Sequence, residues 1–112
     1  MPIPFSDKAK IPPGKIAEYL LNRHHPVGGP KAVWFLGLGY RAESPGDLAG
    51  DLVDLVQRSD GFTIHFDRFG VKYLVQGEIN APSGRRVNVV TIWIMETGSE
   101  VPRLVTAYPA RS

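Results

Sequence analysis

The sequence predicts an α+β domain, with N-terminal helices packed on one face of a four-stranded antiparallel meander sheet. Apolar residues recur at helical spacing through the first half of the chain. The second half changes to a period of two, in runs rich in β-branched and aromatic residues. The connections between those runs, "RFG", "NAPSG" and "ETGSE", suit hairpin turns and are too short for crossover helices. At 112 residues the chain reads as a single domain spanning 1–112, with a helical half at about 14–58 and a sheet half at about 61–109. That length buries a real core without disulfides or metal.

The first helix is expected over 14–23, "GKIAEYLLNR", where Ile16, Tyr19 and Leu20 share a face. "HHPVGGP" ends it, because Pro26 and the paired glycines cannot continue a helix. Pro30 suits the first turn of a second helix, which carries Val33, Trp34 and Leu36 to a stop at Gly39. The third has Ser44 at the N-cap, Pro45 at N1, Asp47 in the first turn and a stripe of Leu48, Leu52, Leu55 and Val56. Four strands follow in "FTIHFD", "VKYLVQGEI", "RRVNVVTIWIM" and "VPRLVTAYP".

Alternation gives each strand two faces: Phe62, Ile64 and Phe66 against Thr63, His65 and Asp67, then Val71, Tyr73, Val75 and Ile79 against Lys72, Gln76 and Glu78. Closing the first hairpin around Phe66 and Val71 sets His65 beside Lys72. Closing the second around Ile79 and Gly84 sets Lys72 beside Thr91 and Glu78 beside Arg85. The face away from the helices then carries His65, Lys72 and Thr91. The third loop is ambiguous by one residue, so either Thr106 or a site flanked by Arg103 extends the row.

Composition narrows the function classes. The chain has no cysteine, which excludes disulfides, thiolate zinc sites and a Cys nucleophile. No apolar run approaches a membrane span and the N-terminus lacks a signal-peptide h-region, so a cytoplasmic protein without membrane contact is expected. A net charge of +2 and a pI near 9.1 suit an anionic partner but fall short of a sequence-reading DNA binder. "GLGY" and "GGPK" are not nucleotide-binding loops, no serine sits in G-x-S-x-G, and the histidines lack zinc spacing. Asp47, Asp51 and Asp54 lie on the solvated side of the third helix, not as a glycosidase pair.

The stretches "YLLNRHHPVGGPKAVWFLGLGY", "FGVKYLVQGEI", "GRRVNVVTIWI" and "PRLVTAYP" resemble an uncharacterised bacterial family. Its members occur as small stand-alone proteins and as C-terminal modules of large polymorphic toxins, and the likeness runs from about Ile16 to Pro109. The order of elements is also similar to the ribonuclease toxin superfold of barnase, EndoU, the tRNA-cleaving colicins and RelE. This resemblance implies a metal-independent ribonuclease that needs no cofactor, acts on RNA and is restrained by a small cognate antitoxin or immunity protein.

Such chemistry requires a base for the 2′-hydroxyl, an acid for the leaving 5′-oxygen and cations or donors for the phosphoryl charge. The expected catalytic set is His25, Lys31, His65 and Arg103. Either histidine could serve as acid or base, since imidazole titrates near neutrality. Lys31, Lys72 and Arg103 could clamp phosphate. Thr91, Thr106 and Tyr108 could donate hydrogen bonds, while Trp34, Trp93 and Tyr108 could stack on bases. The expected substrate-binding set is therefore Lys72, Thr91, Trp93, Thr106 and Tyr108, with no metal ligand.

Two local misfits sharpen this set. Lys31 sits near the start of a helix, where the macrodipole disfavours a cation. Arg103 lies between apolar neighbours and wants a carboxylate or a phosphate. The alternative is a non-catalytic RNA- or protein-binding module, including the antitoxin or immunity half of a pair. Convergence of a histidine, a lysine and Arg103 in one concave site favours catalysis, whereas scatter over a flat face favours binding.

Overall fold

The structure is a computed structural model that describes residues 1–110. Helices α1 (Gly29–Gly37) and α2 (Pro45–Arg58) precede strands β1 (Thr63–Asp67), β2 (Gly70–Asn80), β3 (Arg86–Glu96) and β4 (Arg103–Pro109). The strands lie in chain order, each antiparallel to the next, which is the α+β meander that the change of period predicts. No helix among the described residues is long and apolar enough to cross a membrane.

Helix α1 takes Pro30 into its first turn and stops before Gly39, whose φ of 99° no β-carbon tolerates easily and whose N–H returns to the Leu36 carbonyl at 3.0 Å. Helix α2 holds Asp47 in its first turn and Arg58 in its last, each at the end its charge suits. Ser44 stands at the N-cap, but its hydroxyl makes no capping bond. Leu48, Leu52, Leu55 and Val56 are buried, as their spacing requires.

The helix expected over 14–23 is instead one π-helical turn, Ile16–Leu20. Its bonds span five residues, Leu20 N–H to the Lys15 carbonyl at 3.1 Å and Leu21 N–H to the Ile16 carbonyl at 2.8 Å. Pro12 and Pro13 forbid helix before it, Gly14 enters at φ 81°, and the Asn22 side chain folds back onto the Glu18 carbonyl at 3.2 Å. The wide turn buries Ile16, Leu20 and Leu21, while Tyr19 is half-buried at the margin of the core it packs against.

The core lies between the helical layer and one sheet face. Leu20, Phe35, Leu48, Leu52 and Leu55 meet Tyr73, Val75, Trp93, Leu104 and Ala107 there. At its centre the Trp93 indole N–H donates to Thr91 Oγ1 at 2.8 Å, and the Thr91 hydroxyl donates to the Val75 carbonyl at 2.8 Å. Among the described residues no buried side-chain polar atom lacks a partner.

The first hairpin has its expected register, with His65 opposite Lys72 and Phe66 opposite Val71. The second does not. Its loop closes between Asn80 and Arg86, tied by the Ala81 N–H to the Arg85 carbonyl at 2.8 Å. Lys72 therefore meets Ile94, three residues beyond Thr91, and Thr91 faces Val75 with 0% of its surface exposed. An odd slip turns every side chain to the other face. Strand β3 is apolar on both sides, Val89 and Trp93 on one and Val90, Ile92 and Ile94 on the other, so alternation does not hold its register. Glu78 likewise sits opposite Asn88 and pairs with Arg86 at 3.6 Å, not with Arg85.

On the last strand neither Thr106 nor Arg103 extends a row through Thr91, which lies opposite Ala107. Ile92 faces Thr106, Trp93 faces Leu104 and Ile94 faces Arg103, leaving Val105 as the extra residue of a β-bulge. The bulge lets Thr106 and Arg103, which simple alternation would separate, both lie opposite the outward-facing isoleucines.

Candidate functional site

Strand β4 is one edge of the sheet, and the segment before the π-helical turn runs along it. The Lys10 N–H bonds the Pro102 carbonyl at 2.9 Å, and the Leu104 N–H bonds the Lys10 carbonyl at 3.0 Å. Beside this edge lies an open cavity of about 820 Å³ whose lining includes Lys15, Glu18, Tyr19, His25, Arg103 and Thr106. A smaller cavity of about 210 Å³ lies between α2 and β2. Its cations are already matched there, Arg58 with Asp54 at 2.8 Å and Arg86 with Glu78 at 3.6 Å.

At the wall of the larger cavity the Lys31 ammonium donates to Tyr19 Oη at 2.8 Å and to Thr106 Oγ1 at 3.1 Å. The two hydroxyl oxygens are 3.0 Å apart, so three polar groups from three elements form one cluster. Lys15 lies 5.0 Å and Lys31 5.3 Å from the centre of the Tyr19 ring. Burial alone would raise the Tyr19 phenol, but the hydrogen bonds from Lys31 and Thr106 and the charges of Lys31 and Lys15 together outweigh it. The phenol is held below its ordinary value of 10.0. The misplacement of Lys31 near a helix start is thus explained by the two hydroxyls it reaches.

His25 closes the turn that brings these groups together. Its Nδ1 accepts hydrogen bonds from the Val27 N–H at 3.0 Å and the Gly28 N–H at 2.9 Å, which leaves the ring proton on Nε2. The imidazole stands edge-on to Tyr19, with ring centres 5.0 Å apart at 81°. Gly28 is required by this closeness, since a β-carbon there would fall 2.6 Å from Tyr19 Cδ1 and 2.7 Å from the Tyr19 carbonyl oxygen. Gly28→Ala is expected to cost about 1–3 kcal/mol in urea unfolding. Gly37→Ala, where a β-carbon meets nothing within 4 Å, is the control, expected to lose no stability.

Arg103 finds the carboxylate its sequence setting demands. Its Nη2 lies 2.6 Å and its Nε 3.0 Å from Glu96 Oε1. These two bonds leave other guanidinium N–H groups for the cavity that Arg103 also lines.

Of the nine residues expected from sequence, His25, Lys31, Arg103 and Thr106 gather here. His65 and Lys72 lie on β1 and β2 toward the opposite edge, with Lys72 3.5 Å from Asp67. Thr91 and Trp93 are buried in the core, so RNA cannot reach them without opening the fold. Tyr108 is half-buried opposite Val90 and does not line the cavity, and Trp34 packs edge-on against Phe35 with ring centres 4.9 Å apart. Sequence reasoning missed Tyr19 and Lys15. Tyr19 read as a core position because its spacing matched Ile16 and Leu20, and periodicity carries no signal for a π-helical turn. Among the described residues no group of three or more His, Asp or Glu is placed to hold a metal ion.

A family model described as a domain of unknown function, DUF6883, matches residues 3–111. No curated protein matches. Among solved structures, a chain from a contact-dependent growth inhibition toxin–immunity protein complex of Klebsiella pneumoniae 342 superposes with a TM-score of 0.71. The match covers 96% of this chain and 98% of that chain at 17% sequence identity, so the likeness is one of fold.

Proposed function

The chain belongs to the DUF6883 family, and from its site we propose that it is a toxin-like, metal-independent ribonuclease paired with a cognate immunity or antitoxin protein. The observation that carries this reading is the Lys31 ammonium bridging the Tyr19 and Thr106 hydroxyls beside an open cavity that Lys15, Glu18, His25 and Arg103 also line. The fold shared with a chain of a toxin–immunity complex supports the pairing with a protein partner.

The depressed phenol makes Tyr19 the base. As phenolate, held by Lys31, it takes the proton of a ribose 2′-hydroxyl; the 2′-oxygen bonds to phosphorus, and the bond to the 5′-oxygen breaks. His25 donates a hydrogen bond from its Nε2–H to a phosphoryl oxygen, and the leaving 5′-oxygen takes the proton that Tyr19 removed from the 2′-hydroxyl, returned through water. A base role at Nε2 would require breaking the two backbone bonds at Nδ1, so His25 acts as a donor. Lys31 and Arg103 would face the charge that develops on the phosphoryl oxygens. The products are a 2′,3′-cyclic phosphate and a free 5′-hydroxyl.

Cellular RNA incubated with the protein in EDTA is expected to be cut to those ends. A base must lose its proton to act, so kcat/KM should rise about tenfold per pH unit below the Tyr19 pKa and level above it. Tyr19→Phe should remove both the activity and that limb. The same depression affects stability only in alkali. Its contribution is complete above the ordinary phenol value of 10.0 and is lost as pH falls through the lowered folded value. Intact RNA with the wild-type protein would instead support a non-catalytic binding module.

A further inference from the structure

The second edge of the sheet is unlike the first. Strand β4 is guarded by Pro102, Pro109 and the Lys10 segment, the usual ways of blocking further pairing. Strand β1 has no such guard. Phe62 is 36% exposed, Ile64 44% and Phe66 74%, and these three share the face that elsewhere lies under the helices. Phe69, in the adjoining turn, is 61% exposed. Scattered exposed apolar residues are ordinary, but a contiguous aromatic strip along an open edge marks a contact surface.

We propose that β1 is a self-association edge: two copies of this chain pair antiparallel through β1 about a twofold axis at Ile64, joining their sheets into one. The register follows from the sequence of the strand. To keep apolar side chains on one face, the axis must pass through a residue and not between two. Centred on Ile64, the pairing sets Ile64 against its own copy, Phe62 against the partner's Phe66 and Thr63 against the partner's His65. It also brings Asp60, just before β1, toward the partner's Arg68, in the turn just after it, at both ends. Centring on Thr63 would put Asp60 against Phe66, and centring on His65 would put Phe62 against Arg68 and leave Asp60 without a cation.

Both charges are available for that pairing. The N-terminal ammonium donates to the main-chain oxygen of Asp60 at 2.8 Å, and the Asp60 carboxylate makes no ion pair among the described residues. The Arg68 guanidinium lies 4.9 Å from the centre of the Phe69 ring and makes no ion pair among the described residues. An isologous contact uses each complementary pair twice. In the dimer the two aromatic strips merge into one strip between the two helical layers. The β4 edges, with their candidate sites, remain at the far ends of the joined sheet, seven strand spacings or about 34 Å apart.

Sedimentation equilibrium of the full chain from about 1 to 200 µM tests the pairing. A concentration-dependent mass approaching twice 12.3 kDa is expected. Ile64→Lys, at an exposed position, should raise the dissociation constant at least tenfold with an unchanged circular dichroism spectrum. Asp60→Arg and Arg68→Asp should each weaken the dimer several-fold, and together restore it. A monomer throughout that range, a dimer indifferent to Ile64→Lys, or charge reversals that do not compensate would each overturn the proposal. RNA cleavage is expected to be the same in Ile64→Lys and wild type, so loss of the dimer and failure of the ribonuclease reading are separate results.

Discussion

Lys31→Met should lower kcat for RNA cleavage by about 10²–10³-fold while the protein stays folded. Methionine keeps most of the volume of the lysine stem and removes the charge. What is lost is the donor that holds Tyr19 Oη at 2.8 Å and Thr106 Oγ1 at 3.1 Å, and the charge that helps keep the phenol below its ordinary value. Two effects then add. The phosphoryl charge loses a neighbouring cation, and Tyr19 rises toward an ordinary phenol, so the rising limb of the rate profile moves to higher pH. The stability cost should be about 1 kcal/mol, because the two hydroxyls, 3.0 Å apart, still satisfy each other. Rate profiles of wild type, Lys31→Met and Lys31→Arg, each checked by urea unfolding, measure both effects. An unchanged limb in Lys31→Met would remove Tyr19 from the role of base. Lys31→Arg, which keeps the charge, should retain part of the shift.

Trp93→Ala should cost about 3–5 kcal/mol, a large part of the 5–15 kcal/mol that stabilises a domain of this kind. Trp93 is fully buried opposite Leu104 on the central strand, with its indole N–H on Thr91. Truncation leaves a cavity that neighbours on both layers cannot fill, and it strips the Thr91 hydroxyl of its donor. Thr91→Val isolates the polar part. It retains the shape but leaves the indole N–H buried without an acceptor, at a cost of about 1–3 kcal/mol. Urea unfolding followed by far-ultraviolet circular dichroism measures both variants, since Trp93 contributes to the fluorescence. If Thr91 or Trp93 contacted RNA through an exposed face, their substitution would weaken binding without this loss of stability.

Much of the architecture was legible because local chemistry fixes it. Pro45 and Asp47 with the leucine stripe can form only an amphipathic helix, and the short turns after residue 61 can join only antiparallel strands. The register between β2 and β3 was not legible, because a strand apolar on both faces offers no preferred side. The same strand misplaced Thr91 in the exposed row, whereas it is buried beside Trp93. The site was half legible. Lys31 and Arg103 stood out because each was a charge in a setting that penalises it, and His25 because a histidine at a tight turn invites a role. Tyr19 passed as a core residue, since a phenol at helical spacing looks like packing until the turn widens.

By itself, then, the sequence determined the order of the elements, the type of all but the first helical segment, the face of α2 and the first hairpin, since periodicity, proline placement and two-residue turns act over a few residues. The tertiary structure decided which edge holds the site. A bulge at Val105 and a π-helical turn at Ile16–Leu20 bring Thr106, Tyr19 and Lys31 within hydrogen-bonding distance across 87 residues of chain. Each is a one-residue irregularity stabilised by packing against the rest of the fold, and no local pattern encodes where that packing places it.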